Sequence, residues 1–269
     1  LSRSAFGTSK LHLALTQAGD GPAFVFQHGL CGDAAQPAEV FPDDAAFRRV
    51  TLECRAHGSS DPGDTAELSI ATFTDDVSAA IEGEALAPCV VGGISMGAAI
   101  ALRLAVTRPD LVRALVLARP AWLTEPAPPN MRPYLEVGEL LSRFPADEAR
   151  ARFEASATAA WLEREGPENL ASLRTLFARK PQALTAVCLM RVAADGPGVS
   201  ASDLARLHLP VLIIGHGCDP LHPWSYAERL AAMLPQARLV RITAKAESRD
   251  RYVEDFRAAL RRFLTDLAA

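Results

Sequence analysis

No stretch of this chain stays apolar long enough to cross a bilayer, and no run of basic residues marks a face for nucleic acid or lipid. Lysine is nearly absent: Lys10, Lys180 and Lys245 stand against 25 arginines. Acidic and basic residues are interspersed, and the formal net charge is −4, which excludes a strongly basic nucleic-acid binder and a polybasic membrane anchor. The first residues, Leu1-Ser2-Arg3-Ser4, carry no secretory pattern. Cysteine is sparse, odd in number and widely spaced (Cys31, Cys54, Cys89, Cys188, Cys218), with no pair at metal-ligand spacing. The expectation is reduced thiols in a cytoplasmic protein, with neither a disulfide framework nor a zinc site. No nucleotide, flavin or metal motif is present, so no cofactor and no metal are expected. The partner expected is a small molecule, and nothing in the sequence reads out an oligomeric state.

What is present is enough apolar sequence, 49% of 269 residues, to bury one large core. Apolar runs of strand length alternate with stretches of helical period, which predicts an α/β domain with a mainly parallel, doubly wound sheet. The predicted strands are 10–17, 23–27, 49–54, 89–93, 114–118, 211–214 and 237–242, and the predicted helices are 70–86, 96–107, 224–234 and 248–267. A proline-rich joint beginning at Pro120 opens an interruption that looks wholly helical, with helices over 134–144, 146–165, 167–179 and 181–194. The domain reading is therefore a core of residues 1–120 and 206–269 carrying a helical lid, 121–205, between two core strands.

Gly93-Ile94-Ser95-Met96-Gly97 joins an apolar strand to a helix former, the setting of a nucleophile elbow. A sharp turn there crowds the serine against neighbouring backbone, so glycines flank it. Three further segments fall at predicted strand ends in a matching order. They are His28-Gly29-Leu30, Arg55-Ala56-His57-Gly58-Ser59-Ser60-Asp61, and Val211–Gly215 followed by Cys218-Asp219-Pro220-Leu221-His222-Pro223. Together these pieces resemble the α/β-hydrolase family across nearly the whole chain.

That resemblance implies Ser95 as nucleophile, Asp219 as orienting carboxylate, and the N–H groups of Leu30 and Met96 as oxyanion donors, with His28 shaping the oxyanion turn beside the substrate. It also implies a histidine after the last strand, and here the sequence departs. The stretch reads Ile242-Thr243-Ala244-Lys245-Ala246-Glu247-Ser248, the histidine's place falls at Ala246 or Glu247, and no histidine follows His222. Three side chains are candidates for the base: His222, three residues past Asp219; Lys245, if burial lowers its pKa; and Glu247. The leading expectation is a serine hydrolase of a small ester, lactone or related carbonyl compound. The alternatives are a hydrolase-like protein that binds a small ligand without efficient turnover, and a carbon–carbon bond hydrolase or lyase using the same pocket. Trp122, Met131, Tyr134, Phe144, Phe153, Trp161, Phe177 and Met190 are candidates for an apolar lining, though at helical spacing most suit a lid core.

Overall fold

Eight strands in the order β1-β2-β4-β3-β5-β6-β7-β8 form the sheet on which the rest of the chain packs, in a computed structural model that describes residues 2–8 and 11–268. The strands are β1 (Ser2–Thr8), β2 (Leu11–Ala18), β3 (Ala23–Gln27), β4 (Arg48–Leu52), β5 (Cys89–Ile94), β6 (Val112–Ala118), β7 (Val211–Gly215) and β8 (Ala237–Arg241). β2 pairs antiparallel with β1 and β4, and every other pairing is parallel. The core helices are α1 (Ala35–Val40), α2 (Ile70–Gly83), α3 (Met96–Thr107), α10 (Trp224–Met233) and α11 (Arg249–Ala268). Between β6 and β7 lie α4 (Arg132–Arg143), α5 (Ala146–Glu154), α6 (Ala157–Glu165), α7 (Pro167–Leu176), α8 (Gln182–Ala193) and the short α9 (Ala201–Ala205).

Period-two alternation between two covered faces explains why the central strands are largely apolar. Val25, Val91, Leu115, Leu117 and Ile213 pack on one face with α2, α3 and α10. Phe24, Phe26, Val90, Val116, Leu212 and Ile214 pack on the other with α1 and α11. A strand covered on both faces reads as a continuous apolar run. The predicted strands all occur, with boundaries shifted by two residues at most among the described positions, and Lys10 lies outside the described residues. β1 was not predicted, because this edge strand is largely exposed and carries no alternating pattern. Nor were α1 and α9, which are six and five residues long. The single helix predicted over 146–165 is two helices. Ser156 breaks it by accepting a hydrogen bond from the Ala159 N–H at 3.1 Å, capping α6 and starting it afresh.

The helical stretch is built by close approach. α4 runs against α8 at Gly138, where a Cβ would sit 2.8 Å from Met190 Cγ and 3.1 Å from the Ala186 carbonyl oxygen. At the start of α7, Gly166 comes up to Pro220, where a Cβ would lie 2.6 Å from the ring. This contact brings the inserted helices onto the loop that follows β7.

The turn from β5 into α3 depends on two glycines. A Cβ on Gly93 would lie 2.2 Å from the Gly97 carbonyl carbon, and one on Gly97 would lie 2.5 Å from the Gln27 carbonyl oxygen. Both obstacles are backbone and cannot rotate away. Gly93→Ala should therefore lower stability by roughly 2 kcal/mol or more in urea unfolding. Gly217→Ala, whose Cβ would meet only the mobile end of Arg241 at 3.0 Å, should stay within about 1 kcal/mol of the parent. Equal losses in the two variants would contradict this account of the turn.

Candidate active site

Ser95 sits at the apex of that turn with φ 57° and ψ −110°, a conformation that costs about 1–3 kcal/mol for a residue with a side chain. Its N–H donates to the Ala118 carbonyl at 2.9 Å, which anchors the apex to the end of β6. Behind it begins α3, whose first N–H groups have no intrahelical acceptor and whose dipole places positive potential at the serine. The Met96 N–H is the first of these.

His222 reaches this serine from the loop after β7. The sequence Asp219-Pro220-Leu221-His222 forms a four-residue turn in which the His222 N–H donates to the Asp219 carbonyl at 3.0 Å. Asp at the first position and Pro at the second are the residues such a turn favours. Closing it sets the imidazole beside the carboxylate: His222 Nδ1 lies 2.8 Å from Asp219 Oδ1, and His222 Nε2 lies 2.8 Å from Ser95 Oγ. Two asparagines of the helical stretch grip the turn. Asn169 Nδ2 donates to Asp219 Oδ1 at 2.9 Å, and Asn130 Nδ2 donates to the Leu221 carbonyl at 2.8 Å.

The other oxygen of Asp219 takes Arg119, with Nε at 2.8 Å and Nη2 at 2.7 Å. Arg119 follows β6 with φ 46°, and its N–H donates to the Ile214 carbonyl of β7 at 2.7 Å. Nη2 of Arg119 also lies 3.1 Å from His222 Nδ1. Nδ1 can serve only one of these neighbours. If it accepted from Arg119, its lone pair would face a carboxylate oxygen at 2.8 Å, so Nδ1–H donates to Asp219 and Nε2 is left to accept from the Ser95 hydroxyl. An imidazole held this way can take the serine proton during attack on a carbonyl.

The charges follow from burial and partners. Burial works against the Asp219 carboxylate, but Arg119, His222 and His216 outweigh it and hold the group well below the ordinary carboxylate range. Burial, with Arg119 adding to it, lowers His222 below the ordinary histidine value of 6.5 despite the opposing pull of Asp219. His216, at the end of β7, is pushed down to about 4 by burial and then by Arg119. Its Nδ1–H donates to the Gly217 carbonyl at 2.6 Å, leaving a neutral ring whose Nε2 is 3.5 Å from Asp219 Oδ2.

The turn after β3 supplies the opposite wall. Leu30 lines the cavity, and Gly29 is held by its N–H donating to Gln36 Oε1 at 2.6 Å. His28, expected to shape the oxyanion turn beside the substrate, lies fully buried behind that turn and outside the cavity wall. Its Nδ1–H donates to the Gly29 carbonyl at 2.8 Å and its Nε2 accepts from the Cys54 N–H at 3.0 Å, so both ring nitrogens are engaged. His57 bonds within its own loop, Nδ1–H to the Arg55 carbonyl at 2.8 Å.

The cavity holds about 330 Å³ and is walled chiefly by polar side chains, among them Ser95, Asn169, Thr175, His222 and Lys245. Of the aromatic and methionine candidates for its lining only Tyr134 is in the wall, and most of the others are core residues, as expected. Trp122, Met131, Phe153 and Phe177 are buried in the hydrophobic core, with the Phe153 and Phe177 ring centres 5.6 Å apart. Ala246 and Lys245 are in the wall, while Glu247 is exposed and outside it. Burial, then Arg119 and Arg249, lowers the Lys245 pKa, and its Nζ lies 5.9 Å from the Tyr252 ring centre. Four contributors escaped the sequence: Arg119, Asn130, Asn169 and His216. Arg119 had a legible signal, a charge at the carboxyl end of the apolar run 114–118. His216 sits likewise after β7, but Asn169 is one polar residue on a helix and carries no signal. Metal-ligating atoms of Cys31, His57 and Cys188 gather within 4.8 Å of one another, outside the cavity wall.

Comparison with known proteins agrees with this architecture. The family model of the alpha/beta hydrolase fold matches residues 22–246. A protein of Pseudomonas syringae pv. syringae (strain B728a) named "Putative carbamate hydrolase RutD" is 27% identical over 258 residues, covering 93% of this chain and 96% of its own. The enol-lactonase from Burkholderia xenovorans LB400 superposes with a TM-score of 0.72 at 22% identity, covering 97% of this chain and 100% of that one. A thermophilic esterase from Thermogutta terrifontis, solved with malate bound, gives 0.71 at 23% identity, covering 98% and 99%. These two likenesses concern the fold alone.

The pKa of the His222 ring tests the electrostatics directly. Nuclear magnetic resonance titration should place it below 6.5 in the parent and higher in Arg119→Met, since removing a neighbouring cation favours the imidazolium. Arg119→Lys, which keeps the charge and spares Asp219 the roughly 3–5 kcal/mol loss of an unpaired buried ion, should stay near the parent. An unmoved His222 titration in Arg119→Met would contradict the assignment.

Proposed function

Because the chain belongs to the alpha/beta hydrolase fold family, as the match over residues 22–246 shows, we propose that it is a serine hydrolase of small, polar ester, lactone, carbamate or related acyl compounds. One observation carries the reading: His222 Nε2 lies 2.8 Å from Ser95 Oγ while its Nδ1 lies 2.8 Å from Asp219. The base missing from the loop after β8 is thereby supplied by the acid's own turn.

In this mechanism Ser95 Oγ attacks the substrate carbonyl as its proton passes to His222 Nε2. The new imidazolium faces an Asp219 that stays ionised, and the oxyanion takes hydrogen bonds from the Leu30 and Met96 N–H groups. Losing one such donor raises the barrier by roughly 3 kcal/mol in comparable sites. Collapse expels the alcohol or amine, which takes the proton from His222 and leaves an acyl group on Ser95. Water, deprotonated by the same nitrogen, attacks the acyl carbon, and the acid departs as the proton returns to Ser95.

Residues 121–205 act in this proposal as a cap that closes the cavity and holds the turn of His222 through Asn130 and Asn169. A cavity of about 330 Å³ with a polar wall favours small substrates over long acyl chains. The name of the curated relative, "Putative carbamate hydrolase RutD", is of the same kind.

Turnover of aryl esters separates the contributions. Ser95→Ala and His222→Ala should each reduce kcat/KM by at least about a thousandfold, and acetate esters should outpace palmitate esters. Adding Ala246→His to the parent should bring no gain. Activity that is indifferent to His222→Ala, or that emerges only with Ala246→His, would overturn the assignment of the base.

A further inference from the structure

We propose that Cys31, His57 and Cys188 form a site for a thiophilic divalent cation of the zinc class, joining the oxyanion turn to the inserted helices. The three residues are remote in sequence, which is why spacing alone indicated no such site. Cys31 follows Leu30 in the turn after β3, His57 lies in the loop after β4, and Cys188 is on α8. Folding brings their ligand atoms within 4.8 Å of one another.

The geometry is close to what a metal requires. With metal–sulfur bonds of ~2.3 Å and metal–nitrogen bonds of ~2.0 Å, a trigonal arrangement places sulfur and nitrogen roughly 3.7 Å apart. Cys188 Sγ and His57 Nε2 are 3.9 Å apart. The histidine is already oriented: its Nδ1–H is spent on the Arg55 carbonyl at 2.8 Å, so Nε2 presents its lone pair toward Cys188. Metal-binding histidines are fixed in this way, with the second ring nitrogen donating to a backbone carbonyl. His57 and Cys188 are buried, while Cys31 is partly exposed and offers the side from which an ion and a water ligand arrive. Binding breaks two S–H bonds and forms two metal–sulfur bonds. The two protons pass to solvent, and two thiolates balance the dication.

Occupancy would add a second tie to one that already exists. Arg179, between α7 and α8, donates from Nη1 to the Cys31 carbonyl at 2.7 Å. A metal held by Cys31 and Cys188 would pin α8 to the segment that carries Leu30. By contrast, Cys54 and Cys89 are buried without such a ligand set, and Cys218 is exposed.

The test uses the full chain, reduced and stripped of metal. Zinc is titrated against a chromophoric chelator, and cobalt is then added as a spectroscopic probe of sulfur ligation. The expectation is one equivalent of zinc bound, a thiolate-to-cobalt charge-transfer band, and affinity at least about tenfold weaker in Cys188→Ala and His57→Gln. Cys218→Ala should bind as the parent does. Zinc affinity that is unchanged in Cys188→Ala, or lost in Cys218→Ala, would overturn the site. So would a parent protein whose cobalt spectrum lacks the thiolate band, a result that does not depend on any variant folding. None of these readouts involves hydrolysis, so the site and the proposed catalytic activity fail or stand separately.

Discussion

The buried carboxylate of Asp219 and the donors gathered on it determine the geometry of the candidate site. Oδ1 takes His222 from its own turn and Asn169 from α7, and Oδ2 takes Arg119 from the end of β6. A carboxylate on a side chain only 2% exposed is sustainable because these partners replace the water it has lost. Each partner is in turn fixed by the contact. The imidazole gains a defined tautomer, Arg119 gains a counterion despite its left-handed backbone, and α7 gains a reason to sit where Gly166 admits Pro220. Sheet, loop and inserted helices therefore meet at one anion.

That arrangement explains how a site of this type can dispense with a histidine after β8. What the chemistry needs is an imidazole nitrogen at hydrogen-bond distance from the serine, with its other nitrogen held by an anion. The Asp-Pro-Leu-His turn meets both needs from one loop, since it is closed by its own 3.0 Å backbone hydrogen bond and clamped by Asn130 and Asn169. Under the proposed assignment the segment after β8 has no such duty, and there Ala246 and Lys245 line the cavity.

Much of the fold was legible in the sequence because the central strands are covered on both faces and the elbow has no alternative to glycine. β5, α3 and β7 could be read almost residue by residue for that reason. The peripheral elements were not, since β1 is largely exposed over its described side chains and α1 and α9 are too short to show a period. Within the site, Ser95 and Asp219 stand in motifs, and His222 could be suspected from its nearness to Asp219. Its reach to Ser95 depends on how one turn closes, which depends on Asn130 and Asn169 some 50 to 90 residues upstream. The aromatic residues of the helical stretch were legible as core, and Tyr134 is the one that also lines the cavity.

The central claim, that His222 activates Ser95, is tested most directly by the rate at which a fluorophosphonate labels Ser95 in the parent and in His222→Gln across a range of pH. The account predicts rapid, stoichiometric labelling of the parent, with a rate that falls as pH drops through a value below 6.5, and labelling of His222→Gln that is slower by at least about a thousandfold. Equal labelling of the two proteins with the same pH dependence would contradict it.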